Sequence, residues 1–578
     1  MKRYQKSLPM WVKALCLGLF PTVLTLICEF NAAQSFSSVW HLIAERTGAL
    51  VFSCLMSTLL FGLLIVLIGR GWIAALCQGI LWFILSGIEF FKADVSGSHF
   101  LPSDIALITS FGDTVGMAKL RLEPGLVLCA LVIALCVTLL WYFSADIRLP
   151  ALPRTAVSIG IAGVFAIGLL TPAFSSMLGV NSVKNVNVFV ARAKVSDNGF
   201  FAFFADETRA LLDNATVDPG GYSEAAVADL LAKGKRPTGE GERPNVIVIL
   251  SESHADFRSF EELEVSDENY ACFDRMISQG AGGVTVVPAF GGYTTKSEFE
   301  VISGLPVLNA GDVSTPQDFI TVDDAEGMPD VWREFGYETV YVHPFKEAYY
   351  LRNTVYPKYG FSRLLFREDL PLGDYPYRHY GDDKLVFDTA LSLLSESEKP
   401  VYMHIMSMQN HQPYYYGLEK GQSELDYYLE GIAHTDRRLG EFLDSLEGIY
   451  EPTLVFFVGD HMPFFSSGGE NVYSRLGIDD TNCGRVYEQR FAIWANYKAE
   501  LSEFARDKFS LFYLPHMLLA TAVGEELPDF SAAMLALKET CPVYTRPYQL
   551  DSEFVRCEAI DIISYDRLRG REYSSFAK

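Results

Sequence analysis

Two carboxylates, an imidazole and a hydroxyl stand in this chain where metal-assisted phosphoryl transfer would need them, each beside the end of a short apolar run. Asn245-Val-Ile-Val-Ile-Leu250 runs out into Ser251-Glu252-Ser253-His254, and Thr339-Val-Tyr-Val-His343 ends in a histidine. Val401-Tyr-Met-His-Ile-Met406 leads to Asn410-His411, and Thr453-Leu-Val-Phe-Phe-Val458 leads to Gly459-Asp460-His461. Between the first two runs lies Gly291-Gly-Tyr-Thr-Thr-Lys-Ser-Glu-Phe-Glu300, which puts hydroxyls on a glycine-loosened turn. Glu252, Asp460 and His461 meeting at one point would perturb one another unless a cation lay between them. With Thr294 as a further ligand, three oxygens and one nitrogen suit Mn²⁺ or Mg²⁺, with Zn²⁺ as the alternative. A threonine hydroxyl is a poor nucleophile at neutral pH, and coordination to a divalent cation activates it. The structural alternative for Thr294 is a turn residue capping a helix that begins near Ser297.

The elements that must position these groups read as an α/β sheet. From Asn245 onward, β-branched runs alternate with helical patterns, and the carboxyl ends of parallel strands form the ligand crevice of such a sheet. Helices are expected over Ser297–Ile302, Asp330–Phe335, Lys384–Leu394, Glu424–Leu446 and Leu511–Ala522. Residues 234–244, rich in Gly, Pro and charge, have the composition of a linker. Tyr222–Leu231 and Asp206–Leu212 read as short helices. The aromatic run Asn198-Gly-Phe-Phe-Ala-Phe-Phe204 suits either the membrane interface or packing on the soluble domain.

The N-terminal third has another character. Five apolar stretches, about Trp11–Phe30, Ala49–Ile68, Trp72–Phe91, Gly125–Phe143 and Ala156–Phe174, reach the roughly 20 residues a helix needs to cross a bilayer core. Lys13 and Glu89 fall near span ends, where they are expected to snorkel. Lys2, Arg3, Lys6, Arg70, Arg148 and Arg154 place the N-terminus and two loops on the cytoplasmic side. The Lys92–Glu123 loop, with Lys92, Lys119 and Arg121, departs in part from that rule. An odd number of spans then puts everything after Ser175 outside the membrane. The division expected is a transmembrane domain over 1–180, juxtamembrane helices and linker over 181–244, and a catalytic domain over 245–578.

Charge follows the same division. Residues 1–180 carry 11 Lys and Arg against 8 Asp and Glu, and the remainder carries 36 against 63. A soluble part so acidic is no nucleic-acid binder, because phosphate neutralisation needs Lys and Arg. Six of the ten cysteines lie in the apolar spans, where they pack. Cys272, Cys483, Cys541 and Cys557 would meet an oxidising compartment, which permits one or two disulfides; Cys541 and Cys557 are the closest pair, and spacing alone leaves the connectivity open.

Taken together, the Gly-Gly-Tyr-Thr-Thr-Lys-Ser-Glu-Phe-Glu run, the Glu252 strand end, Asn410-His411-Gln-Pro and Gly459-Asp460-His461-Met-Pro resemble lipoteichoic acid synthase and related phosphoglycerol transferases. These are membrane members of the sulfatase and alkaline phosphatase superfamily. The resemblance implies five transmembrane helices before an extracytoplasmic, sulfatase-like α/β domain in a bacterial cell membrane. It implies Thr294 as nucleophile, joined by Glu252, Asp460 and His461 around Mn²⁺, and selects Thr294 over Thr295 because the family's threonine stands four residues before the Glu of Glu-Phe. His343, Arg352 and His411 fall where the family binds phosphate and the glycerol head group. Tyr350 stands where a Trp is usual, and Tyr293 replaces a Gly found in many relatives. Cys541-Pro-Val-Tyr-Thr-Arg546 lacks the spacing of the formylglycine motif of sulfatases proper. His254, His379 and His404 are left as structural.

The activity so implied is glycerophosphate transfer from phosphatidylglycerol to a cell-envelope hydroxyl through a threonine-bound intermediate. The acceptor would be a lipoteichoic-acid-type polymer, a glycolipid or a glucan. Phosphoethanolamine transfer to an envelope glycan or lipid is the alternative. A non-catalytic relative would be expected to have lost one of Glu252, Thr294, Asp460 or His461, and none is missing.

Overall fold

The computed structural model describes residues 9–105, 122–143, 150–184, 187–213, 219–310, 316, 326–465, 472–479, 481–548 and 554–575. The chain divides into two compact units, 1–215 and 216–578. Lys2, Arg3, Lys6, Lys119, Arg121 and Arg148, which entered the orientation argument, lie outside the described residues.

The first unit contains five helices long and apolar enough to cross a membrane: Trp11–Ala33, Thr47–Ile68, Gly71–Ser96, Pro124–Tyr142 and Ala151–Leu170. Pro124 opens the fourth at a position where a helix has no N–H to lose. Gly69 and Gly97, both left-handed, close the second and third. Between apolar helices there is little hydrophobic drive, so polar contacts hold them together. Gln78 donates to the Ser57 carbonyl at 2.9 Å, and Asn31 donates to Ser86 Oγ at 2.8 Å.

Glu89 does not snorkel. It is 2% exposed, and its carboxylate accepts from His99 Nδ1 at 2.5 Å and from the Phe100 amide at 2.7 Å. Glu29 behaves alike, accepting from the Phe200 and Phe201 amides at 2.8 and 3.1 Å. A buried carboxylate that collects N–H donors has no need of water. The aromatic run therefore packs on the apolar helices, with Phe201 stacked on Trp82 at 5.0 Å, and the Phe200–Asp213 helix belongs to this unit.

The second unit is built on one eight-stranded sheet in the order β4-β3-β5-β1-β6-β7-β2-β8. Its strands are β1 (Asn245–Ser251), β2 (Ala281–Val286), β3 (Glu338–Val342), β4 (Arg363–Leu365), β5 (Val401–Met406), β6 (Thr453–Gly459), β7 (Glu488–Ala495) and β8 (Phe509–Ser510). β1 lies parallel between β5 and β6, with Leu250 opposite Met406 and Val458. All seven of its residues are buried, which is why it reads as a continuous apolar run rather than an alternating one. β3 runs parallel to β5, so β3, β5, β1 and β6 all end at the same edge. β7 is antiparallel to both β6 and β2.

The expected helices form with small shifts at their ends. The Glu424–Glu447 helix starts on a reciprocal cap between Ser423 and Asp426 and buries Tyr428, Ile432, Leu439, Phe442 and Leu446 along one stripe. Tyr222 donates to Asp566 at 2.8 Å, tying the segment before the sheet to the C-terminal helix Glu558–Leu568. The ten cysteines are free, with Cys541 and Cys557 lying side by side.

Candidate metal and phosphoryl-transfer site

At the carboxyl edge of the sheet, β1 delivers Glu252 and β6 delivers Asp460 and His461. Ser251 is opposite Gly459 in the register, so the two exits leave side by side. One ligand atom from each of Glu252, Asp460 and His461 falls within a 4.8 Å cluster. His461 Nε2 stands 3.7 Å from Glu252 Oε1 and 3.2 Å from Asp460 Oδ2.

The hydrogen bonds around the cluster leave particular atoms over. His461 Nδ1 donates to the Met462 carbonyl at 2.9 Å, so a neutral ring presents the Nε2 lone pair to the two carboxylates. Asp460 Oδ1 accepts from the Ser253 and His461 amides at 2.8 and 2.9 Å. Asp460 Oδ2 is buried without a hydrogen-bond partner. Two carboxylates and an imidazole lone pair facing one another would repel, and a divalent cation removes the conflict. Burial, and then Asp460, pushes the Glu252 carboxyl up; burial likewise raises Asp460, against a hydrogen bond from Thr294 that pulls it down. The orphaned oxygen and the enforced tautomer fit a metal.

Thr294 borders this cluster as the first residue of the Thr294–Ser303 helix, 7% exposed. It is not the N-cap, so capping does not explain it. The cap is Tyr293, in left-handed conformation (φ 64°) with no side-chain cap bond. Gly291, Gly292 and Tyr293 all have positive φ, the one geometry that brings the chain around here. Only glycine enters it freely, so Tyr293 holds this conformation against its own preference. The turn is tethered by Gly291 N–H donating to Met462 O at 2.9 Å and by Gln412 Nε2 donating to Gly291 O at 2.7 Å. Ser297 Oγ donates to the Asp460 carbonyl at 2.6 Å, locking helix to β6.

The residues expected to hold phosphate and head group fall beside the cluster. His343, at the end of β3, donates from Nδ1 to Met406 O at 2.9 Å, and burial, aided by Arg352, pushes its pKa down to about 3. His411 Nδ1 donates to Gln412 O at 2.5 Å, and burial pushes that ring down to about 4. Arg352 is 2% exposed and near enough to Glu252 to lower that carboxyl. Its guanidinium carbon lies 5.2 Å from the Tyr350 ring centre. The Asn410-His411 segment is fixed from behind, with Asn410 and Gln409 both donating to Thr435 Oγ1 at 2.9 and 2.8 Å.

Sequence reasoning missed Glu298. Arg352 Nη2 donates to Glu298 Oε2 at 2.6 Å and Tyr341 OH donates to Oε1 at 2.6 Å, all within the core. Burial alone would raise the Glu298 carboxyl, but Arg352 overrides it and holds it down to about 2. Glu298 is the Glu of Glu-Phe, so the motif carried the signal without its meaning. His254 and His404 are structural: the first packs on Phe457 at 5.0 Å, the second stacks on Tyr341 at 5.6 Å. His379 is exposed and lies near His411.

The model of the sulfatase family matches residues 244–500. A lipoteichoic acid synthase of Staphylococcus saprophyticus is 24% identical over 259 residues, covering 42% of this chain and 40% of that protein. Among solved structures, the Streptococcus pyogenes phosphoglycerol transferase GacH, in complex with sn-glycerol-1-phosphate, has a TM-score of 0.52 at 21% identity, covering 62% of this chain and 97% of that one. The integral membrane lipooligosaccharide phosphoethanolamine transferase A (EptA) of Neisseria meningitidis has a TM-score of 0.53 at 11% identity, covering 91% and 98%. At these identities the structures establish the fold. The chain spans less than half the length of the first curated relatives it matches.

Proposed function

We propose, for a chain whose residues 244–500 are a sulfatase-family domain behind five helices able to cross a membrane, that it transfers glycerophosphate from phosphatidylglycerol to an envelope hydroxyl. The observation that carries this reading is the convergence of Glu252, Asp460 and His461 within 4.8 Å, with Thr294 at their border. Glu252, Asp460, His461 and Thr294 would hold Mn²⁺, with Mg²⁺ or Zn²⁺ as alternatives. A divalent ion there stabilises an alkoxide and polarises a phosphoryl group.

Thr294 Oγ attacks the phosphorus, the bond to the diacylglycerol oxygen breaks, and diacylglycerol leaves with a proton. Thr294 then carries the glycerophosphoryl group, which an acceptor hydroxyl takes in a second displacement. Arg352, set by Glu298, faces the charge that builds on the phosphoryl oxygens. His343 and His411, with pKa values of about 3 and 4, serve as neutral polar contacts, and Tyr350 borders the head group. Residues 245–578 form the catalytic part, and the five spans place it outside the membrane, where donor lipid is presented.

The test is to incubate the full chain with Mn²⁺ and labelled phosphatidylglycerol, and in parallel with phosphatidylethanolamine. Diacylglycerol release and a glycerophosphoryl mass on Thr294 are expected. Thr294→Ala should lower turnover by about a thousandfold or more. Full activity in that variant refutes the nucleophile assignment, and an ethanolamine-phosphate mass on Thr294 assigns the other donor.

A further inference from the structure

The first unit contains a cavity of about 560 Å³ that the transfer chemistry does not use. It lies among the ends of the Met10–Ala33 and Gly71–Ser96 helices, the Phe36–Ala44 helix and the Val188–Asn198 helix. By the topology derived above, on which this inference rests, those span ends face outward.

The Phe36–Ala44 helix sets the depth of the cavity. Phe36, Trp40 and Ile43 recur at helical spacing and are 73%, 68% and 39% exposed. Phe36 stacks on Phe30 at 4.2 Å, and an exposed apolar stripe that includes a Trp is the signature of a helix lying in the membrane interface. Ser37, Ser38 and His41 of the same helix line the cavity. The cavity thus lies at head-group level, with the first turn of that helix, its electropositive end, in the wall.

The donors in the wall are of one kind. Arg192 is accessible and has no hydrogen bond or ion pair among the described residues. His99 is 9% exposed, gives Nδ1 to Glu89 at 2.5 Å, and leaves Nε2 buried without a partner. Glu29, Glu89 and Asp94 also line the space. Glu29 and Glu89 each already accept two N–H groups, from Phe200 and Phe201 or from His99 and Phe100, and Asp94 has an interaction of its own. Their charge is answered, and that of Arg192 is not. We infer that this cavity binds the phosphate of an outer-leaflet phospholipid, with Arg192 as its principal anchor and His99 behind it. The site is separate from the catalytic cluster and needs no turnover.

The probe is a photoactivatable phosphatidylglycerol in vesicles with the full-length chain carrying Thr294→Ala, which keeps turnover silent. Labelled peptides are mapped by mass spectrometry. Label is expected in 36–44 and 188–198, separately from any in 245–578. Arg192→Gln should reduce the label in those two segments about tenfold, the usual worth of a charge-assisted hydrogen bond. Ala93→Phe, which fills the cavity without touching charge, should do the same, with thermal unfolding of the protein unchanged in both. Soluble glycerophosphate at the head-group concentration should compete poorly, since the lipid is held at the interface. Wild-type labelling of the N-terminal segments in either folded variant overturns the proposal, as does equal competition by soluble glycerophosphate. Loss of label confined to 245–578 would bear on the catalytic reading alone.

Discussion

Glu298 illustrates how a residue can act on a site it does not touch as ligand or nucleophile. It is fully buried in the helix that begins with Thr294, and Arg352 is paired with it at 2.6 Å. Removing one partner of such a pair leaves a buried charge uncompensated, at a cost of about 3–5 kcal/mol. Glu298→Gln is therefore expected to lower stability by about 3 kcal/mol and to raise KM for the donor more than it lowers kcat, with Glu298→Asp recovering part of both. Steady-state kinetics beside chemical unfolding would check this, and an unchanged KM would remove Arg352 from donor binding. The histidines make a second prediction. Their ordinary pKa is near 6.5, and burial lowers His343 to about 3 and His411 to about 4. Lowered values mean that both rings bind protons only in acid, so both stay neutral above about pH 5. The pH profile of kcat/KM should contain no inflection near 6.5 that His411→Gln abolishes.

Among elements, the strand ends are placed by close backbone packing as much as by side chains. Gly459 ends β6 opposite Ser251, and a Cβ there would stand 1.8 Å from the His254 carbonyl oxygen. Nothing flexible can yield, because that oxygen belongs to the backbone turn carrying Glu252. Gly459→Ala should force β1 and β6 apart, costing about 3 kcal/mol, and should move Asp460 and His461 away from Glu252. Thermal unfolding with and without Mn²⁺ would show both a lower Tm and a smaller metal-dependent rise. Metal response at wild-type level in this variant would contradict the shared role of the two strand ends. The helix starting at Thr294 was legible as a helix, but its start was not. Three successive positive-φ residues set that start, and an αL tyrosine runs against local preference.

For the molecule as a whole, the acidic second unit brings the buried carboxylates Glu252 and Asp460 together at the proposed metal site. If Mn²⁺ binds at a hundred times its Kd, it adds about 2.7 kcal/mol to the folded state. Stripping it with EDTA should lower the Tm of the full chain by about 5 °C, and excess Mn²⁺ should restore it. An unchanged Tm in wild type would argue against the metal site, as would an equal drop in an Asp460→Asn variant. The two units also divide the segment between them: the described residues through 213 belong with the apolar helices, and those from 219 belong with the second unit. Composition marks a junction there but not which unit each half joins. That depends on partners distant in sequence, such as Glu29 for Phe200 and Asp566 for Tyr222.

The sequence by itself determined the five apolar spans, the α/β alternation and the strands that end in chemistry. Each rests on a local pattern of hydropathy or spacing, and the motif run around Thr294 added the family likeness. Only the tertiary structure decided that Glu252 and Asp460–His461 leave neighbouring parallel strands, because β1 pairs with β6 across some two hundred residues of chain. It likewise decided that Asp460 keeps one oxygen unanswered, that Arg352 is set by Glu298, and that Glu89 is buried on His99 rather than drawn toward water. Strand pairing and polar satisfaction in a packed interior are long-range properties, and no local window of sequence records them.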